Sequence, residues 1–196
     1  AYCLPEGYLR QLRTFTSGLK PDFVLLGETL HGDYNRWMNP EMCHSVTNYE
    51  CYKGLHSSFN SMNLFEIGHS LARQFGSEPW TLYKGKHLLS FLDNHDVERI
   101  ASILREPRHL PLAYGLLFGM PGVPALYYGS EWGILGRKAD GDNALRPALE
   151  RPEWGALTDW IARLAQARRK SPALCHGSYR NCLLYTSPSP RDGLLS

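Results

Sequence analysis

The sequence predicts an α/β fold built around a parallel sheet. Three short runs, at residues 22–26, 88–92 and 123–128, have the near-continuous hydrophobicity of strands that are buried on both faces. Segments with apolar residues at helical spacing lie between these runs and after them. Strands that alternate with helices are typical of βα units, in which the site forms at the carboxyl ends of the strands.

Each predicted strand is followed directly by polar residues. These polar segments are Gly27-Glu28, Asp93-Asn94-His95-Asp96 and Gly129-Ser130-Glu131. A fourth candidate strand covers residues 45–49, where the sequence supports a strand and a loop about equally. The carboxyl ends of parallel strands share one edge of a sheet, so we expect these polar segments to lie near one another.

Three helices are expected from the spacing of apolar residues. They cover residues 64–75, 110–120 and 152–170. Asn63 followed by Glu66 predicts a capping box at the start of the first helix. Pro121 predicts the end of the second helix, and Pro152 suits the first turn of the third. The basic residues 168–170 suit the last turn of that helix.

Composition excludes several classes of protein. With Lys+Arg 21 against Asp+Glu 19 and 43% hydrophobic residues, the 196-residue chain is neither a disordered tail nor a coiled coil. No apolar run approaches the roughly 18–20 residues of a membrane span, and the near-neutral charge predicts no nucleic-acid partner. The 5 cysteines contain no CxxC pair, which favours reduced thiols and a cytoplasmic location.

Glu28 and Asp96 are the candidate catalytic residues. Either acid taken alone would be interpreted as a solvated loop residue or a helix cap, but both follow strands of one sheet. Two carboxyls with a neighbouring His95 suit glycoside hydrolysis, in which one acid is protonated and another stays charged. On this argument alone Asp96 is the nucleophile. A metal site at Asp93, His95 and Asp96 lacks a second ligand cluster, so no metal or other cofactor is expected.

Three segments resemble signature regions of the α-amylase family, glycoside hydrolase family 13. They are residues 25–33, 91–96 and 119–131, in the order in which that family has them. The resemblance implies a partial (β/α)8 TIM barrel, with about strands 5–8 and their helices in this chain and the N-terminal half missing. A complete barrel typically needs about 250 residues. Within the family, the chain is similar to cyclomaltodextrinase, neopullulanase and maltodextrin glucosidase.

The resemblance also implies an activity and a role for each site residue. The activity is retaining hydrolysis of α-1,4-glucosidic bonds in maltooligosaccharides, cyclodextrins or starch-type glucans. Glu28 matches the general acid/base, Asp96 matches the transition-state stabiliser, and His95 matches a residue that binds the same glucose. Asp142 and Arg146 match a loop that binds a second sugar, with an ordinary surface ion pair as the alternative.

The nucleophilic aspartate of the family falls before residue 1 and is matched by no residue here. We therefore expect the 196-residue chain to be inactive, although its parent is an enzyme. Two alternatives remain open, namely a transglycosylase or isomerase of the same family and a non-catalytic carbohydrate-binding relative. The resemblance is also compatible with calcium bound by residues outside this chain and with a homodimeric parent.

The resemblance and the composition together divide the chain into three parts. Residues 1–172 are expected to form the C-terminal half of the catalytic barrel, and residues 173–181 the start of a truncated C-terminal β domain. Residues 182–196 show no helical or strand periodicity of apolar residues and resemble translated adapter sequence. We therefore expect an artefactual or disordered tail there.

Overall fold

Four short parallel strands organise the computed structural model, which describes residues 1–152 and 154–181. The strands of this described part are β1 (Leu26–Gly27), β2 (Ser45–Val46), β3 (Leu89–Phe91) and β4 (Val123–Ala125). β1 pairs with β2, β3 pairs with β4, and a parallel bridge joins Thr47 to Leu89. The strands therefore lie side by side in chain order, and the predicted α/β class with parallel pairing is confirmed.

Helices precede, connect and follow these strands. They are α1 (Glu6–Leu19), α2 (Tyr49–Ser61), α3 (Phe65–Phe75), α4 (Ile100–Ile103), α5 (Leu110–Gly119), α6 (Asp142–Leu145), α7 (Ala156–Lys170) and α8 (Pro172–His176). Single 3-10 turns occur at Tyr34–Arg36, Pro107–His109, Ser130–Trp132 and Lys138–Asp140. The helices predicted over residues 64–75 and 110–120 are confirmed within one residue at each end.

The predicted capping box and the predicted start of the last long helix are wrong. Asn63 does not open a capping box, because its side chain accepts a hydrogen bond from the Phe65 backbone while Glu66 accepts one from the Ser57 hydroxyl. The last long helix does not begin near Pro152. It begins at Ala156, where the Thr158 hydroxyl accepts a hydrogen bond from the backbone N–H of the preceding Gly155.

The strand predicted over residues 22–26 is shorter than expected. Its only residues in the sheet are Leu26 and Gly27, since the backbone of Phe23 instead donates to Lys20 in a turn that follows α1. Residues 45–49 likewise divide between strand and helix. β2 ends at Val46, and Tyr49 is already the first residue of α2.

The core lies between the strands and two pairs of packed helices. α2 packs against α3 and α5 packs against α7. Leu55 of α2 and Leu117 of α5 are almost completely buried, as are Leu71 and Ile161 on the partner helices. Full burial of such a side chain contributes about 1.5–3 kcal/mol. This packing fixes the strands, and with them the polar residues at their ends.

The turn before β4 requires glycine. Gly122 has a φ of +103°, and a Cβ atom on it would lie 2.6 Å from the carbonyl oxygen of Leu88. That same oxygen accepts the first ladder hydrogen bond from Val123, at 2.8 Å. The close approach of the two backbones at Gly122 therefore sets the pairing of β3 with β4.

The C-terminal part of the described chain holds helix α8 and, between residues 173 and 181, no strand. The assignment of this segment to a β domain stays a prediction. The predicted tail, residues 182–196, lies outside the described residues. Cys3, Cys43, Cys51 and Cys175 are free thiols. Within residues 1–152 and 154–181, no helix has both the length and the apolar character needed to cross a membrane.

Candidate active site

Polar side chains gather where β1, β3 and β4 end. Glu28 follows β1, His95 follows β3, and Tyr127 follows β4, and all three line one cavity of about 300 Å³. Strand residues, among them Leu26 and Phe91, supply much of the apolar wall. The structure thus brings Glu28 and His95 together at the carboxyl edge of the sheet.

Helix α2 begins at this edge and presents Tyr49 to Glu28. The helix starts here because the side chain of Asn48 accepts a hydrogen bond from the backbone of Cys51, at 3.2 Å. Asn48 is completely buried and exchanges two hydrogen bonds with the amide of Gln74, at 2.8 and 3.0 Å. The hydrogen bonds of Asn48 therefore fix the position of Tyr49, the first residue of α2.

The Tyr49 hydroxyl connects two residues of the site. It donates to Oε1 of Glu28 at 3.1 Å and accepts from Nδ2 of Asn94 at 2.9 Å. Burial, reinforced by the negative charge of Glu28, raises the pKa of Tyr49 to about 12. The phenol is therefore a neutral hydrogen-bond donor throughout the pH range in which proteins are normally assayed.

Asp96 interacts mainly with Arg146. Nη2 of Arg146 lies 2.8 Å from Oδ1 of Asp96, and Nε donates to the carbonyl oxygen of His95 at 3.1 Å. Nε2 of His95 lies 3.3 Å from Oδ2 of Asp96. The backbone N–H of Asp96 donates to Oδ1 of Asn94 at 2.8 Å. Asp96 is therefore held at the rim, and it does not line the cavity itself.

Asp142 is placed differently from the expectation of an ion pair with Arg146. It is the exposed first residue of α6, and its carbonyl oxygen, not its carboxylate, accepts the backbone N–H of Arg146 at 3.0 Å. The Arg146 guanidinium is directed to Asp96 and His95 instead. The alternative of an ordinary surface pair between Asp142 and Arg146 is therefore wrong.

A buried polar cluster supports the loops around the cavity. Arg99 is completely buried and donates to the carbonyl oxygens of Tyr128 and Leu145, at 2.7 and 2.8 Å, and to the Ser130 hydroxyl at 3.0 Å. Its guanidinium lies 4.2 Å from the ring centroid of Tyr127. Arg99 therefore braces the loops that follow β3 and β4 and the end of α6.

Asp93 lies inside the same cluster. It is 3% exposed, and its carboxylate accepts hydrogen bonds from the Ser130 hydroxyl at 2.8 Å and from the Ile100 backbone at 2.9 Å. Burial raises the pKa of Asp93, although these hydrogen bonds oppose the shift. Both oxygens accept hydrogen bonds within this cluster, so this acid supports the structure.

Sequence reasoning missed Tyr49, Asn94 and Ser130 as parts of the site. Asn94 and Ser130 stand in the polar segments after two predicted strands, and that position was the available signal. Tyr49 had a weaker signal, since Asn48 before it is a residue type that starts helices. Within the described ranges, no group of three or more His, Cys, Asp or Glu is placed to hold a metal ion.

Comparison with known proteins finds a matching family along most of the chain. Residues 5–172 match the family described as alpha amylase, catalytic domain. A cyclomaltodextrinase from Thermoanaerobacter pseudethanolicus is 26% identical over 192 residues, which cover 91% of this chain and 31% of that protein. A cyclomaltodextrin glucanotransferase from Bacillus sp. (strain 1011) is 37% identical over 93 residues, or 46% of this chain and 12% of that protein.

A solved structure shows the corresponding fold. The cyclic α-maltosyl-(1→6)-maltose hydrolase of Arthrobacter globiformis, in complex with that sugar, is 25% identical and superposes with a TM-score of 0.70. The likeness covers 88% of this chain and 39% of the hydrolase. The chain thus spans well under half the length of these relatives. It belongs to the α-amylase family of glycoside hydrolases, and its strands form part of that family's (β/α)8 barrel.

Proposed function

We propose that this chain supplies the general acid/base and the transition-state stabiliser of a retaining glycosidase. Its substrates would be maltooligosaccharides, cyclodextrins or starch-type glucans, cleaved at α-1,4-glucosidic bonds. The observation that carries the proposal is the placement of Glu28 and His95 in one cavity, with Asp96 at its rim. Relatives named for cleaving or building cyclic maltodextrins support this substrate class.

Glu28 would move the proton in both steps of the reaction. In the first step a carboxylate nucleophile attacks the anomeric carbon, the glycosidic C–O bond breaks, and Glu28 gives its proton to the departing oxygen. In the second step Glu28 takes a proton from water, whose oxygen attacks the anomeric carbon and releases the nucleophile. Glu28 is exposed to the cavity and can reach both partners.

Asp96 would act on the sugar without forming a bond to it. Its carboxylate is negative where positive charge develops on the ring, and hydrogen bonds from sugar hydroxyls would strengthen as the ring flattens. Arg146 occupies Oδ1 of Asp96 and His95 approaches Oδ2, so the side chain is oriented before substrate arrives. His95 and Arg146 would in turn bind the sugar that Asp96 contacts, and Asp142 would extend that surface to a second sugar.

The nucleophile would come from a segment outside residues 1–196. Among the residues that the structure describes, Asp93 is the one carboxylate besides Glu28 in the cavity lining. Asp93 is buried, and both of its oxygens accept hydrogen bonds from the cluster behind the cavity, so it cannot reach an anomeric carbon. We therefore infer that residues 1–196 alone do not catalyse hydrolysis of these sugars.

Product analysis tests the proposal. The protein encoded by the complete open reading frame is incubated with β-cyclodextrin or maltotriose, and the first anomer released is identified by proton NMR. Retention predicts that the reducing end newly formed at the cleaved bond appears first as the α anomer. First release of the β anomer, or no cleavage of either sugar, contradicts the proposal.

Transglycosylation is the second candidate, favoured by the 37% identity to a cyclomaltodextrin glucanotransferase. A transferase would use the same acids but deliver the glycosyl group to a sugar hydroxyl instead of water. The same incubation separates the two activities. Longer or cyclic products without a net gain of reducing ends indicate transfer, and a gain of one reducing end for each bond cleaved indicates hydrolysis.

A further inference from the structure

We propose that Tyr49 is a positioning residue that holds Oε1 of Glu28 and thereby leaves Oε2 as the oxygen that carries the proton. The inference rests on the proposed function of Glu28 as the general acid/base. It concerns a residue on α2, a different element from the strand end that carries Glu28. The role is a restraint on the acid, and Tyr49 itself forms no bond to substrate in it.

The hydrogen bonds around Tyr49 run in one direction. Nδ2 of Asn94 donates to the phenol oxygen at 2.9 Å, and the single hydroxyl proton of Tyr49 is left to donate to Oε1 of Glu28, at 3.1 Å. Oδ1 of Asn94 accepts the backbone N–H of Asp96 at 2.8 Å, which fixes the orientation of that amide. One path of hydrogen bonds therefore links Glu28, Tyr49, Asn94 and Asp96.

The ring of Tyr49 is held in place by its neighbours. It meets the ring of Phe91 edge-on, with centroids 5.0 Å apart and an interplanar angle of 79°. The ring of Tyr52 stacks on the ring of Phe91 as well, with centroids 5.4 Å apart. Together with the anchored start of α2, these contacts set the position of the Tyr49 hydroxyl without help from Glu28.

This arrangement has a chemical consequence for Glu28. A donor on Oε1 restrains the side chain so that Oε2 faces the cavity, and it stabilises the carboxylate that remains once the proton has left. Burial keeps the Tyr49 phenol protonated by raising its pKa, and the carboxylates of Glu28 and Asp96 act in the same direction. The hydroxyl therefore donates in every step of the cycle.

Removal of one oxygen atom tests the proposal. The Tyr49→Phe variant keeps the ring against Phe91, and Tyr52→Phe makes the same change one turn along α2 on a ring that stacks on the same residue. In the product of the complete open reading frame, Tyr49→Phe should lower kcat on maltotriose about 10–100-fold with KM nearly unchanged. The alkaline limb of its pH–rate profile should move to higher pH, because the carboxylate of Glu28 loses a donor. Tyr52→Phe should show neither change.

The outcomes separate this inference from the proposed function. If Glu28→Gln abolishes turnover while Tyr49→Phe leaves kcat and the pH profile unchanged, the positioning role is wrong and the proposed function stands. Turnover that survives Glu28→Gln overturns the proposed function itself. A crystal structure of Tyr49→Phe gives a test that does not depend on activity. The Glu28 carboxylate should change rotamer there, and an unmoved carboxylate overturns the inference.

Discussion

Arg146 and Asp96 form an ion pair in which Nη2 lies 2.8 Å from Oδ1. The same guanidinium donates to the carbonyl oxygen of His95, so one side chain ties the residue after α6 to the loop after β3. The side chains of Arg146 and Asp96 are 44% and 43% exposed, and at that exposure solvent screens the pair to about 0–1 kcal/mol of stability. The pair therefore matters for the position of Asp96 more than for the stability of the fold.

Replacement of Arg146 should weaken substrate binding and leave folding intact. In the product of the complete open reading frame, Arg146→Ala should raise KM for maltotriose about tenfold, because Asp96 and the His95 loop lose their shared partner. The free energy of unfolding should change by less than about 1 kcal/mol. Arg108→Ala is the control, since Arg108 forms an exposed ion pair with Glu106 that lies outside the site. An unchanged KM in Arg146→Ala contradicts the assignment.

The buried Asp93 should make stability depend on pH. Burial raises the pKa of Asp93, so the folded chain binds a proton at this carboxyl more tightly than the unfolded chain does. In the unfolded chain the carboxyl has a pKa of about 3.9. The stabilisation from that proton is fully present below the unfolded value and is lost as pH rises through the raised folded value. Urea unfolding of the wild-type chain and of Asp93→Asn should therefore show wild type losing stability relative to the variant as the pH is raised above about 4.

Asp140→Asn, a substitution of an exposed acid, serves as the control for that series. Its free energy of unfolding should follow wild type across the same pH range. A constant difference between wild type and Asp93→Asn at every pH would contradict a raised pKa at Asp93.

Two glycine substitutions should have opposite effects on stability. Gly122→Ala places a Cβ atom 2.6 Å from the Leu88 carbonyl oxygen at a φ of +103°, so it should cost about 1–3 kcal/mol and disturb the pairing of β4. Gly115→Ala lies inside α5 with no heavy atom within 4 Å of the new Cβ, so it should stabilise by about 0.4–1 kcal/mol. Urea unfolding measures both, and equal effects of the two changes would contradict the stated role of Gly122.

Much of the fold could be predicted from periodicity, and the exceptions have physical causes. Helix α3 shows a clear apolar stripe that includes Ile67 and Leu71, both buried, and it was located within one residue. Helix α1 was missed although Leu9, Leu12 and Leu19 recur at helical spacing. The start of α2 was not predicted, because residues 45–49 support a strand and a loop about equally, and the helix begins there behind the cap that the buried Asn48 provides.

The site could be predicted in part for a similar reason. Residues that directly follow apolar strands, such as Glu28 and His95, reach the same edge by topology alone, and sequence order is enough to suggest that. Tyr49 reaches the edge from a helix start, and the partner choice of Arg146 depends on how two loops fold against each other. Neither distance in sequence nor residue type contains that information.

The purified 196-residue chain should not hydrolyse maltooligosaccharides. Its cavity offers Glu28 as a proton donor, but Asp93 is engaged in the buried cluster and cannot act as a nucleophile. Release of reducing sugar from maltotriose, followed over hours at high protein concentration, should match a blank without protein. Sugar release that scales with the concentration of the chain and disappears in Glu28→Gln would show that a nucleophile is present after all.

The most direct test of the central claim is the turnover of Glu28→Gln beside Glu78→Gln, an exposed glutamate outside the site, in the product of the complete open reading frame. Loss of a general acid typically costs about 10²–10⁴-fold in rate. We predict that kcat/KM on maltotriose falls by this factor in Glu28→Gln, with unfolding unchanged, and that Glu78→Gln matches wild type. Equal activity in the two variants would contradict the assignment of Glu28 as the acid/base.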